Sequence, residues 1–204
     1  MASSVVEHRV QIEDPPIAQF LFSDTRLAWL WLIIRVYAGY EWLSAGFEKL
    51  ISPAWTGAKA GTALAGFVVG ALKQVGGAHP SVFGWYAAFL QGVVLPHVAI
   101  FGWIVALGET AVGIGLILGL LTGVAAFFGG FMNANYLLAG TVSVNPLLFI
   151  FATWLVLAWR IAGYYGVDHW LLPALGVPGQ PGYLLNPQGR VAPNTGGLAP
   201  QSNR

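Results

Sequence analysis

The sequence predicts an all-α membrane protein: a bundle of four transmembrane helices with a non-spanning helical segment between spans one and two. Two observations carry this prediction. Of the 204 residues, 56% are hydrophobic and 8% are charged, whereas soluble domains carry about 25% charged residues. Several apolar runs also approach about 20 residues, the length that an α-helix needs to cross the hydrocarbon core. We therefore expect a multi-pass protein of the cell membrane, with the lipid bilayer as its first partner.

The composition also excludes several classes of function. A net charge of +1 gives no reason to expect nucleic acid as a partner. The chain has no cysteine, which removes disulfides, thiolate metal sites and iron–sulfur ligation. No phosphate-binding loop, dinucleotide fingerprint or zinc-protease motif occurs, and His97 and His169 are the only candidates for haem. We therefore expect no haem, flavin or metal site.

The chain divides into three predicted parts. Residues 1–24 read as a soluble amino-terminal tail, because they are polar and mixed in charge and lack the regions of a cleaved signal peptide. Residues 25–170 form the membrane domain. Residues 171–204 are a tail rich in proline and glycine.

The spans follow from the apolar runs. The first covers residues 26–50, and residues 53–92 form non-spanning helical structure opposite the termini. Within that region, residues 81–94 are too short to span, and Trp85 and Tyr86 suit an interfacial anchor. The later spans are 96–121, 124–140 and 145–165, and the break between the first two of these lies at Thr122–Gly123. In the last span, Asn145 is the expected N-cap and Pro146 lies in the first turn. Four spans place both termini on one side, and the arginines near the span ends favour the cytoplasm.

Span one carries charges on one face. Arg35, Trp42 and Lys49 are seven residues apart and therefore share a side of the helix. Between these three side chains the same face carries small residues, which are expected to leave room for a ligand: Ala38, Gly39, Ala45 and Gly46. Glu41 and Glu48 form the adjacent stripe. A charge at the bilayer centre costs about 3 kcal/mol or more, so this face must meet protein, water or a polar ligand. The functional interpretation is a site for an anion or polar head group; the structural one is an ion-pair network with Lys49 snorkelling outward.

Two further polar positions lie deep in the later spans. Glu109 has no cation near it in sequence, so Arg35, or an asparagine of span three, is its expected partner. Asn133 and Asn135 are about 200° apart around a helix, so they cannot serve one ligand. Because clustering lets buried charges pair, we expect one polar cavity lined by Arg35, Trp42, Lys49, Glu41, Glu109 and Asn133.

Three segments resemble the DoxX/DoxD family: "AGFEKL", "GETAVGIGLILGLLTGVAA" and "NANYLLAGTVSVNP". The resemblance covers about residues 25–170 and is closest to the DoxD-like large subunit of thiosulfate:quinone oxidoreductase. It implies a four-helix membrane bundle that oxidises thiosulfate to tetrathionate and passes the electrons to quinone. It also implies a separate small subunit, similar to DoxA, as a partner.

The resemblance does not assign catalytic residues, so the candidates come from the charged spans. The catalytic candidates are Glu41, Glu109 and Arg35, and the substrate-binding candidates are Lys49, Trp55, Lys59, Trp42 and Asn133. Since Arg35 and Lys49 are about 21 Å apart along a helix, one small anion cannot use both. The expected division places the anion near Lys49 with Trp55 or Lys59, pairs Arg35 with Glu109, and puts quinone near Trp42.

A second function remains open. Exposed tryptophans and two long tails suit a non-catalytic accessory or scaffold subunit of a larger membrane redox or photosynthetic complex. A carrier of small molecules or ions is weaker, because the four spans show no repeat symmetry.

Overall fold

The computed structural model describes residues 14–177, in which helices are joined by turns and loops and no strand occurs, so the predicted all-α class is confirmed for them. A 3₁₀ turn, Thr25–Leu27, precedes α2. The α-helices are α1 Pro16–Ser23, α2 Ala28–Ile51, α3 Thr62–Leu72, α4 Gly84–Phe89, α5 Val98–Leu118, α6 Thr122–Leu138, α7 Asn145–Leu157, α8 Trp159–Ala162 and α9 Asp168–Ala174.

One helix in the described part of the chain is long and apolar enough to cross a membrane by itself. It runs for 35 residues, Gly84–Leu118, and joins α4 to α5. The helices before and after the break at Asp24 would count as a second span if taken together, and they bend there by 51°. By comparison, α6 and α7 have 17 and 13 residues.

The continuity of α4 and α5 corrects the expectation that residues 81–94 form a separate short piece. A π-helical turn, Leu90–Val94, and a 3₁₀ turn, Leu95–His97, connect the two helices. These turns change the hydrogen-bonding pattern around Pro96, whose missing N–H would otherwise interrupt an α-helix. The chain therefore passes the proline without leaving helical geometry.

Glycines bring α2 and α5 together as an antiparallel pair. Gly39 lies against Ile117, Gly46 lies against Thr110, and a Cβ at Gly113 would stand 2.5 Å from the backbone nitrogen of Leu43. The expectation that the small residues of the first span leave room for a ligand was wrong on this side of the helix, because α5 fills the space beside Gly39 and Gly46. Small residues at such crossings allow close helix packing in membranes.

The core has two parts. The central one lies among α2, α5, α6 and α7, and its largest members include Trp31, Trp42, Leu116, Leu148 and Leu155. The second lies where α3 and α4 meet the end of α6, and it includes Leu64, Val68, Val82, Tyr86, Leu90 and Ala139. We call this the α3–α4 end of the bundle; the opposite end, where α1 contacts α8, is the α1–α9 end.

Two buried charges fix the turn between α5 and α6. Arg35 donates to the backbone oxygens of Leu116 and Ile117, at 2.6 and 3.0 Å, which satisfies carbonyls that a helix leaves free at its end. Asp168 accepts from the backbone N–H groups of Leu121 and Thr122, at 2.6 and 2.8 Å. The break thus lies at residues 119–121, just before the predicted Thr122–Gly123.

The start of α7 differs by one residue from the prediction. Val144 is the N-cap, and Asn145 is the first helical residue, with its amide donating to the Thr141 oxygen at 3.2 Å. Pro146 occupies the first turn, as expected. Part of the polarity of this segment is therefore local and structural.

The glycine contacts make a direct prediction about stability. Gly113→Ala should lower the free energy of unfolding by about 1–3 kcal/mol, because the added methyl group overpacks the α2–α5 crossing. Gly66→Ala in α3 is the matched control, since nothing lies within 4 Å of a Cβ there; it should be neutral or stabilise by about 0.5–1 kcal/mol. Thermal unfolding in detergent measures both, and equal effects would contradict this packing.

Candidate functional site

The site is centred on Glu109, which lies midway along α5 with 2% of its surface exposed. One carboxylate oxygen lies 2.7 Å from the Lys49 ammonium nitrogen, and the other accepts from the Tyr136 hydroxyl at 2.5 Å. Three helices, α2, α5 and α6, therefore meet at one carboxylate. Glu109 faces the bundle interior, as expected, but both expected partners were wrong. The Arg35 guanidinium binds the α5–α6 turn near the other end of α2, and neither asparagine of α6 bonds to Glu109.

Lys49 is held in place by the loop that follows α2. The Thr56 hydroxyl donates to the Leu50 oxygen at 2.8 Å, which caps the end of the helix. The Trp55 ring centroid lies 5.1 Å from the Lys49 nitrogen, a distance at which an ammonium is attracted to an aromatic face. The ammonium therefore turns inward to Glu109 instead of snorkelling outward, although 18% of the side chain stays exposed.

Tyr136 joins the carboxylate to the aromatic core. Its ring stacks on Trp42 with centroids 6.4 Å apart, and Phe67 of α3 meets it edge-on at 6.1 Å. Two turns earlier on α6, the absence of a side chain at Gly129 lets the Trp42 indole nitrogen approach the helix. The position of the Tyr136 hydroxyl is therefore fixed by contacts from three helices.

A cavity of about 800 Å³ lies next to Tyr136, between α5 and α6, and is closed at one end by α3 and α4. Among the described residues that line it, Tyr86, Asn135 and Tyr136 carry the polar side chains; the others are apolar or glycine. Several lining side chains, including Ile104 and Phe131, are also exposed on the outside of the bundle. The cavity therefore opens sideways, and Tyr136 stands between it and Glu109.

Small and flexible residues form contacts between α5 and α6. A Cβ at Gly115 would lie 3.0 Å from the Ala125 side chain, so the helices are close near their shared turn. Farther along, Gly108 faces the sulfur of Met132. Elsewhere α5 packs mainly on α2 and α6 mainly on α7, and the cavity lies between α5 and α6.

The two asparagines of α6 point to different neighbours, as their spacing predicted. Asn135 accepts from the Tyr86 hydroxyl at 3.0 Å. Asn133 is fully buried, and neither amide atom has a hydrogen-bond partner within the described chain. It lies near the helix face of Gly129 and Tyr136, but it does not line the cavity. An unpaired buried amide costs about 1–3 kcal/mol, and this one offers a donor and an acceptor to a small polar group.

The remaining candidates are dispersed. Glu41 is half-buried on α2 and forms no ion pair with the residues that the structure describes, and Lys59 is exposed in the loop beside Trp55. The prediction of one polar cavity lined by all six residues is therefore wrong: Lys49, Glu109 and Trp42 come together, Arg35 does not, and the cavity itself is apolar. Arg35 does not reach Glu109, because its guanidinium is bound to backbone oxygens at the α5–α6 turn.

Tyr136 is the residue that sequence reasoning left out of the site. A signal was present, because Tyr136 lies three residues after Asn133 on the same face of a helix. A buried tyrosine hydroxyl needs a hydrogen-bond partner, and Glu109 was the unpaired acceptor.

A comparison with protein-family models finds no match to the chain, and comparisons with curated proteins and with solved structures find none either. The resemblance to the DoxX/DoxD family is therefore carried forward as a proposal.

The buried pair predicts a non-additive pattern of stability. Lys49→Met alone should destabilise the fold by about 3–5 kcal/mol, because it leaves the Glu109 carboxylate buried without its cation. The double variant Lys49→Met/Glu109→Gln removes both charges and should recover most of that loss. Thermal unfolding of the single and double variants gives the coupling energy; additive effects would show that the two side chains do not interact.

Proposed function

We propose that this chain is a multi-pass membrane redox protein that binds quinone in the cavity between α5 and α6. Electrons would come from thiosulfate, in keeping with the resemblance to the large subunit of thiosulfate:quinone oxidoreductase. One observation carries the proposal: an apolar cavity that opens sideways ends at a tyrosine, and the hydroxyl of that tyrosine is bound to a buried carboxylate paired with lysine.

In the proposed membrane arrangement the four spans are α2, α5, α6 and α7. Three of the charges in α2 and α5, those of Arg35, Lys49 and Glu109, turn toward protein, which is where membrane helices place such residues. The outer surfaces carry large apolar side chains, among them Ile33, Ile100, Ile104, Leu107, Phe127, Phe128, Phe131 and Ile150. At 1.5 Å per residue, α6 is about 26 Å long, close to the roughly 30 Å of a hydrocarbon core.

The cavity suits a quinone for three physical reasons. Its volume of about 800 Å³ lies within the range of small-molecule sites. Its apolar walls fit an isoprenoid tail, which partitions from water into apolar surroundings. Its polar end carries the Tyr136 hydroxyl, which would donate to a quinone oxygen once its hydrogen turns away from Glu109, and this gives the head group one orientation. A lateral opening would let such a ligand enter from the lipid.

The proposed reaction balances in electrons and protons. Two thiosulfate ions lose one electron each and join through a new sulfur–sulfur bond as tetrathionate, and quinone takes up two electrons and two protons to become quinol. The sequence predicted the anion near Lys49 together with Trp55 or Lys59 of the following loop. Since that ammonium is paired with Glu109 at 2.7 Å, we now place the anion outside it, in the loop that carries Lys59.

Quinone binding is the first test. In lipid nanodiscs, short-chain ubiquinone and menaquinone should quench tryptophan fluorescence saturably, because Trp42 stacks on Tyr136 beside the cavity. Tyr136→Phe should weaken binding up to about tenfold, the equivalent of one hydrogen bond of about 1.4 kcal/mol. Tyr37→Phe on the outer side of α2 is the matched control and should bind like the wild type. Added thiosulfate should then reduce the bound quinone.

The scaffold function predicts a different result. Quenching that does not saturate, with no thiosulfate-dependent reduction, would contradict the redox proposal. Stoichiometric partner subunits retained under mild detergent would then favour the accessory role in a larger complex.

The topology has its own test, helped by the absence of native cysteine. With four spans, cysteines introduced as His79→Cys and Asp14→Cys should label from opposite sides of sealed vesicles, because residue 79 lies at the α3–α4 end and residue 14 precedes α1. An impermeant maleimide with mass-spectrometric detection measures this. Labelling of both positions from one side would contradict the four-span arrangement.

A further inference from the structure

We propose that Lys49, Glu109 and Tyr136 form a proton relay that connects the cavity to the aqueous phase at the α3–α4 end of the bundle. This inference rests on the proposed quinone function and deepens it, because it states which side supplies the protons and which residue takes them up. Lys49 is the residue that exchanges with water.

The order of the three side chains follows from their exposure. Lys49 keeps 18% of its side chain exposed beside the loop after α2, whereas Glu109 keeps 2%. Tyr136 lies beyond Glu109 and lines the cavity. The two links, 2.7 Å from lysine nitrogen to carboxylate and 2.5 Å from hydroxyl to carboxylate, are within or close to the distances over which side chains exchange protons.

Among the residues that the structure describes, the groups packed around Glu109 leave one polar route from its carboxylate to water. Lys49 faces it from α2 and Tyr136 faces it from α6, while Asn133 is an uncharged neighbour on the face of Tyr136. From α4, Tyr86 reaches Asn135 instead. Toward the α1–α9 end the interior is apolar, formed by Trp31, Val112, Leu116, Ala126 and Leu155. Arg35 and Asp168 lie beyond that layer and are occupied by the α5–α6 turn.

Each transfer balances in protons. The Lys49 ammonium first passes a proton to the Glu109 carboxylate, and the resulting carboxyl group donates to the Tyr136 oxygen, so that the Tyr136 hydrogen turns toward the quinone. As the bound quinone gains electrons, the Tyr136 O–H bond breaks and its proton goes to the quinone oxygen. The tyrosine oxygen then takes a proton from the Glu109 carboxyl group, which has received it from the Lys49 ammonium. Neutral Lys49 recovers a proton from water, so the three residues return to their starting state. Two such cycles supply the two protons of a quinol.

One substitution separates proton transfer from structure. Lys49→Arg keeps a cation beside Glu109, but a guanidinium stays protonated in proteins and cannot pass its proton on. We expect Lys49→Arg to keep quinone quenching within twofold of the wild type and to slow thiosulfate-dependent quinone reduction at least tenfold. Lys73→Met, an exposed lysine after α3 at the same end of the bundle, should leave the rate unchanged.

A second measurement determines which side of the membrane supplies the protons. In proteoliposomes whose orientation is set by labelling at His79→Cys, quinone reduction should consume protons from the aqueous phase that the label reaches, as read by a pH-sensitive dye. A wild-type rate in Lys49→Arg, or proton uptake from the opposite phase, would overturn the relay while quinone binding stands. Absence of quinone binding in the wild-type protein would overturn the proposed function and the relay together.

Discussion

The ion pair between Lys49 and Glu109 constrains the arrangement of the bundle more than any other single interaction in the described residues. A carboxylate with 2% exposure is stable in its charged form only beside a cation or hydrogen-bond donors. The pair therefore fixes the register of α2 against α5, and the hydroxyl of Tyr136 adds α6 to the same point. The loop after α2 depends on it as well, since Trp55 covers the ammonium from outside.

The second pair of buried charges shows how differently the same residue types are used. Arg35 and Asp168 each bind backbone groups at the α5–α6 turn, where a cation suits a helix carboxyl end and an anion suits a helix amino end. Both charges are bound by backbone groups and therefore stabilise the fold. At Glu109, by contrast, both partners, Lys49 and Tyr136, are side chains that can gain or lose protons, and Tyr136 borders a cavity.

Helix periodicity was enough to predict that Arg35, Trp42 and Lys49 share the protein-facing side of one helix, and all three are buried or nearly so. It could not predict their partners, because the partner of a side chain depends on the register between helices. That register is set by close contacts such as Gly46 with Thr110 and Gly113 with Leu43, which no spacing within one helix reveals. Local rules failed in a similar way at Pro96, where a change of helical pitch kept the helix continuous.

The central claim is that a membrane-soluble quinone occupies the cavity beside Tyr136. Photo-crosslinking with an azido-quinone, followed by peptide mass spectrometry, tests it most directly. If quinone binds there, the label is expected on cavity-lining residues of α5 and α6, between positions 101 and 136. Excess unmodified quinone is expected to prevent this labelling. Label confined to the outer faces of α2 or α7, or label that competing quinone does not displace, would contradict it.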